Sequence, residues 1–272
     1  MATIRMNYMS RALGFQTDVT ICLPFYSFAD VMSGKQADMY IPAGTKYQVL
    51  WLLHGGSGDS ADYLTFSNIA RYADENKIAV VMPSGYNMNY DDIDGCPMKM
   101  MTYIAEELPE YLREIFPFSD KREDNFIGGL SMGSNGAQKI AVRYPENYAA
   151  VLAMSVGAFW RDPRLSGGRR MNTGMPMPPH KPDEIEENIR IARENVEAGK
   201  LLPKFFMTWG DKDFVAQAHK ESADFLAETG YEVYQEEVPG YGHEWDFWDL
   251  TLRKALKEWL PIRHDLIPPE EA

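Results

Sequence analysis

Two periods run through the hydrophobic and polar positions of this chain. Residues 3–8 and 17–23 alternate apolar with polar side chains and predict an antiparallel pair of strands. Further along, the apolar runs become nearly continuous. Residues 47–53, 78–82, 124–129, 149–155 and 204–209 are short and mainly apolar, as strands covered on both faces must be, and 232–238 predicts a last strand. Between these runs the spacing changes to that of a helix. Residues 62–76, 100–116, 137–144, 183–198, 215–229 and 244–260 predict helices. In 100–116 the apolar face is Ile104, Leu108, Tyr111, Leu112 and Ile115, and Pro117 stops the helix. Buried strands alternating with helices predict an α/β fold, with a mostly parallel central sheet and helices on both faces. No polar linker divides the chain, so one domain over residues 1–272 is expected, with a frayed tail from residue 261.

Two connections are long. Residues 83–98 are rich in Tyr, Asn, Asp and Gly. Residues 157–182 have no periodicity, five cations (Arg161, Arg164, Arg169, Arg170, Lys181) and three methionines (Met171, Met175, Met177). Loops of this length inside a domain usually serve function, and 157–182 is expected to act as a lid-like insertion.

The strand at 124–129 runs into Gly129-Leu130-Ser131-Met132-Gly133, the G-x-S-x-G nucleophile elbow. A sharp strand-to-helix turn lifts the Ser131 hydroxyl clear of the backbone. Side chains two residues either side of it would strike the neighbouring strand and helix, so glycine stands there. A serine hydroxyl needs a base to take its proton, and in this arrangement the partners follow as acid and then histidine. The strand at 204–209 leads into Gly210-Asp211-Lys212-Asp213. Either aspartate could serve, with Asp213, further into the loop, preferred over Asp211. Of the histidines, His54 and His180 precede the acid, His219 falls inside a predicted helix and His264 lies in the tail. Only His243, in the loop after the last strand, meets both order and placement.

The oxyanion of the tetrahedral intermediate needs two donors. One is the N–H after the nucleophile, that of Met132. The other comes from the turn after an early strand, His54-Gly55-Gly56-Ser57, with Gly56 first choice and Ser57 second. Ser57 and Trp245, two residues past the base, are the candidate substrate contacts.

Composition narrows the partners. A formal charge of -13 would repel a phosphate backbone and excludes nucleic acid. Cys22 and Cys96 make neither a metal spacing nor a disulfide framework. Asp91-Asp92-Ile93-Asp94-Gly95 resembles a calcium loop but fails at Tyr90 and Met101, so no metal site is assigned and the stretch reads as a polar rim or solvated turn. No apolar run reaches membrane-spanning length and no secretory leader is visible. The expected partner is a small-molecule ester, without cofactor, nucleic acid or membrane, in the cytoplasm, with a homo-oligomer as a further possibility.

Taken together, Leu52-Leu53-His54-Gly55-Gly56-Ser57-Gly58, Gly129-Leu130-Ser131-Met132-Gly133, Gly210-Asp211-Lys212-Asp213-Phe214 and Gly242-His243-Glu244-Trp245 resemble the esterase D-like family of α/β-hydrolases over about residues 4–260. The small tributyrin-type acetylesterases look most similar. The resemblance implies the α/β-hydrolase fold, Ser131 as nucleophile, Asp213 as acid, His243 as base, and Gly56 with Met132 as oxyanion donors. It implies a serine esterase acting on short-chain acyl esters, acetyl or feruloyl, through an acyl-serine intermediate. The alternatives are an acyltransferase using the same triad and an S-formylglutathione hydrolase-like thioesterase. Family members of the latter kind usually carry cysteine near the oxyanion turn, and this turn has none.

Overall fold

The structure, a computed structural model, describes residues 1–26, 30, 32–33, 43–156 and 183–272. The insertion expected at 157–182 therefore lies outside the described residues.

Eight strands form one sheet. They are β1 (Ala2–Met9), β2 (Gln16–Leu23), β3 (Val49–Leu53), β4 (Ala79–Pro83), β5 (Asn125–Leu130), β6 (Ala150–Met154), β7 (Lys204–Gly210) and β8 (Val233–Val238). Their order across the sheet is β1-β2-β4-β3-β5-β6-β7-β8. The first two strands and the β2–β4 contact are antiparallel, and every later pair is parallel. This is the α/β-hydrolase arrangement that the motifs imply.

The continuous apolar strands are explained by what lies on either face. Val49, Trp51 and Leu53 of β3 point into one core, and Leu50 and Leu52 into the other. Val151 and Ala153 of β6 likewise oppose Ala150, Leu152 and Met154. The helices divide between the faces. α1 (Asp62–Phe66), α2 (Ile69–Glu75) and α8 (Trp245–Lys254) cover the second core. The first is covered by α3 (Met100–Thr102), the π-helical turn Tyr103–Glu107, α4 (Leu108–Ile115), α5 (Met132–Arg143), α6 (Glu184–Glu197) and α7 (Ala216–Thr229).

Two expectations change. The helix expected over 62–76 breaks between α1 and α2, where Asp249 of α8 takes the Asn68 N–H at 2.7 Å. The elbow helix starts at Met132, directly after the strand-to-helix turn as the motif requires, although its periodicity is visible only from residue 137. The tail is held rather than frayed: Lys46 and Ile267 exchange both backbone hydrogen bonds at 2.9 Å, and Ile267 is buried.

The chain leaves β4 on one side of β3 and re-enters the sheet as β5 on the other. Such a crossing opens a crevice at the C-terminal ends of the strands, where open parallel sheets bind their ligands. The loops after β3, β5, β6, β7 and β8 all emerge at that edge.

Candidate active site

Ser131 joins β5 to α5 with φ 53° and ψ -118°. A non-glycine residue rarely adopts a positive φ, and such strain persists only where the surroundings over-determine it. Here the Ser131 N–H extends the β5–β6 ladder to the Met154 carbonyl at 2.9 Å. The two elbow glycines are steric necessities. A Cβ on Gly129 would lie 2.5 Å from the Gly133 backbone, and one on Gly133 would lie 2.1 Å from the Leu53 oxygen.

Asp213 follows β7 and His243 follows β8. Both carboxylate oxygens of Asp213 lie 3.1 Å from His243 Nδ1, and the Val215 N–H donates to Oδ1 at 3.0 Å. Burial pushes the Asp213 carboxyl up, but hydrogen bonding with His243, Ser155 and the Val215 N–H outweighs it and holds the group below its ordinary value. Asp213 therefore stays ionised and faces the imidazole. Asp211 does something else. It is exposed and accepts the Gly240 N–H at 2.7 Å, a turn-fixing role.

Two supporting residues were not visible in the sequence. Ser155, directly after β6, has φ 53°, and its oxygen accepts from Trp248 Nε1 at 2.9 Å. One strand end thus holds both sides of the site: Met154 grips the Ser131 backbone and Ser155 steadies Asp213. Only its position after a buried strand singled Ser155 out, and that reading absorbed it into the strand. Around the imidazole, Phe214 lies 4.6 Å away and Trp248 stands edge-on at 5.0 Å.

The turn after β3 holds the other predicted residues. His54 is buried and neutral. Its Nε2 accepts the Gly85 N–H at 2.7 Å, so the proton sits on Nδ1, which donates to the Gly55 carbonyl at 2.7 Å. Burial pushes its pKa down. His54 shapes the turn. The Ser57 N–H donates to Asn87 Oδ1 at 2.6 Å, so the second-choice oxyanion donor is already engaged. The Gly56 and Met132 N–H groups donate to nothing among the described residues. Trp245 is half-buried against Tyr63 at 5.4 Å, Phe66 at 5.2 Å and Trp248 at 5.3 Å.

The expected polar rim at Asp91 is wrong. Asp91 is fully buried and pairs with Lys139 of α5 at 3.4 Å, while Lys139 also meets Glu184 of α6 at 2.6 Å. Nothing in the local sequence pairs a loop aspartate with a helical lysine nearly fifty positions away.

Known proteins resemble this chain in sequence and fold. The family model described as "Putative esterase" matches residues 36–259. The acetyl esterase of Caldicellulosiruptor saccharolyticus is 29% identical over 270 residues, covering 96% of this chain and 98% of that one. Among solved structures, the fluorophosphonate-binding serine hydrolase F of Staphylococcus aureus superposes with a TM-score of 0.77 at 27% identity, covering 95% of this chain and 98% of that one. The S-formylglutathione hydrolase of the same organism gives 0.71 at 26%, with the same coverage. A family match over most of the chain, on a fold built around a strained elbow serine, makes this protein a member of the esterase family of α/β-hydrolases: it is a serine carboxylic ester hydrolase.

Proposed function

We propose that Ser131, His243 and Asp213 form the catalytic triad, that the Gly56 and Met132 N–H groups form the oxyanion hole, and that the preferred substrates are esters of short acyl groups, acetate first. The observation that carries the triad is the ionised Asp213 held against His243 Nδ1. A carboxylate there keeps the proton on Nδ1 and the lone pair on Nε2. Nε2 takes the Ser131 proton as Oγ attacks the ester carbonyl. Charge builds on the carbonyl oxygen, where donors already in place lower the barrier without reorganising. The tetrahedral species collapses, the alcohol leaves with the proton from His243, and water repeats the sequence on the acyl-serine. Gly56 is supported as donor because Asn87 takes the neighbouring N–H. Ser57 and Trp245 are the proposed contacts for the rest of the substrate. The acetyl preference is supported by the acetyl esterase that aligns over nearly its whole length. The two cysteines are unpaired, which suits a reducing compartment, and we assign the protein to the cytoplasm.

The test is hydrolysis of p-nitrophenyl esters of increasing acyl length, with S-formylglutathione and a feruloyl ester alongside. The expected order places acetate highest in kcat/KM. A clear preference for the thioester or for the longest acyl chain would overturn the substrate assignment. Ser131→Ala should lower kcat by roughly 10⁴-fold or more with the fold intact, because such a triad acts as a unit. Fluorophosphonate labelling of the wild-type chain should map to Ser131 by mass spectrometry.

A further inference from the structure

The two proposed oxyanion donors sit on different elements: Gly56 on the turn after β3, and Met132 at the start of α5. A hydrogen bond to the oxyanion forms only within a few tenths of an ångström of its best length. Something must therefore fix the turn against the helix. The segment after β4, residues 84–92, contacts both.

On the turn side it makes three hydrogen bonds. The Gly85 N–H reaches His54 Nε2 at 2.7 Å, the Tyr90 hydroxyl donates to the His54 carbonyl at 2.9 Å, and Asn87 Oδ1 accepts the Ser57 N–H at 2.6 Å. On the helix side, the Tyr90 ring is seated on Gly136 so closely that a Cβ there would lie 2.6 Å from it. Asp91, fully buried, then meets Lys139 at 3.4 Å. Tyr90 also lies against Gly85, where a Cβ would sit 2.5 Å from its ring. Four residues of this segment, Tyr86, Asn87, Asn89 and Tyr90, have φ between 50° and 56°. L residues adopt that conformation rarely and hold it where contacts on several sides impose it.

We propose that residues 84–92 are a brace that sets the gap between the two oxyanion donors, with Asn87 and Tyr90 as its positioning residues. Neither touches the reacting atoms. Asn87 holds the Ser57 N–H away from the site and so orients the adjoining Gly56 N–H. Tyr90 ties the carbonyl side of the same turn to α5. The inference rests on the oxyanion assignment above.

The experiment compares Asn87→Ala and Tyr90→Phe with the wild-type chain. A third variant, Tyr231→Phe, serves as control; its buried hydroxyl bonds the Ala192 carbonyl of α6, outside the brace. The probes are p-nitrophenyl acetate and phenylboronic acid. In the boronate adduct, Ser131 Oγ adds to boron and passes its proton to His243, giving a tetrahedral mimic whose hydroxyl occupies the oxyanion position. Both brace variants should lose roughly tenfold in kcat, less than the 10²–10³-fold that follows removal of a donor itself. KM should stay within about twofold, and boronate affinity should fall by the same factor as kcat/KM. A residue that only stabilised the fold would lower melting temperature without this parallel loss. Wild-type kcat and boronate affinity in both brace variants, or an equal loss in Tyr231→Phe, refutes the brace. If the brace variants melt early, boronate affinity measured well below the transition decides the matter. Absence of hydrolysis in the wild-type chain would instead refute the esterase site, a result the brace variants cannot mimic.

Discussion

Asp211 and Asp213 stand two residues apart on one loop, and their surroundings separate them. The carboxylate of Asp213 is closed off from solvent, bonded to His243 and kept ionised, whereas Asp211 is exposed and secures the Gly240 turn. Asp213→Asn should lower kcat by about 10⁴-fold, because an amide permits the wrong imidazole tautomer. Asp211→Asn keeps an oxygen for the Gly240 N–H and should stay within a few-fold of wild type. Steady-state kinetics on p-nitrophenyl acetate distinguishes them, and the reverse ranking with both variants folded would exchange their roles. The order argument found this loop in the sequence and admitted both aspartates, with Asp213 preferred. Loop position preferred Asp213 and the family resemblance pointed the same way; the structure adds the contact with His243, which no spacing along the chain provides.

At the scale of elements, α5 is the piece to which the site is fastened. Its N-terminus follows Ser131, Gly133 packs under the turn after β3, and Gly136 receives Tyr90. Its lysine, Lys139, is buried between Asp91 of the brace and Glu184 at the start of α6. Breaking such a pair strands charges in the interior, which costs about 3–5 kcal/mol. Lys139→Met should lower the unfolding free energy by that order, since it leaves two carboxylates without their cation. Urea denaturation checks this, and an unchanged midpoint would mean that the two carboxylates find other partners. The elbow motif placed the start of this helix just beyond Ser131, but Met132-Gly133-Ser134-Asn135-Gly136 carries no helical periodicity of its own. Two glycines there weaken intrinsic helix propensity, and close backbone packing compensates.

For the molecule as a whole, a second buried histidine sets how stability responds to acid. His219 of α7 is fully buried, accepts the Val156 N–H on Nδ1 at 2.8 Å and stacks near Trp209. Burial pushes its pKa down to about 3. In the unfolded chain a histidine titrates near 6.5, so between about 6.5 and 3 the unfolded state binds a proton that the folded state does not. The contribution is fully present above pH 6.5 and is lost as pH falls through that window, at about 1.4 kcal/mol per pH unit. Buried His54, also pushed down, acts in the same sense. Stability to urea should therefore fall steeply from pH 6.5 to 4.5. His219→Gln, which keeps an acceptor for Val156 and cannot titrate, should flatten the slope by close to one proton. An unchanged slope in that variant would assign the acid sensitivity elsewhere.

The five central strands, β3 to β7, were legible because burial on both faces leaves a mainly apolar run, and β1 and β2 because their side chains alternate; both are properties of each segment alone. The elbow was legible for a similar reason: Gly129 and Gly133 are forced by contacts so close that only one residue type fits. The order of Ser131, the acidic loop and His243 followed from the topology those strands imply. Tertiary structure decided what depends on distant partners. It paired Lys139 with Asp91 and Glu184, turned Ser155 toward Asp213 and Trp248 toward Ser155, and bound the tail to Lys46. It also gave Asn87 the Ser57 N–H. A local pattern records whether a residue is buried; it does not record which residue, far along the chain, meets it there, because that choice is made by how the sheet's crossings bring the loops to one edge.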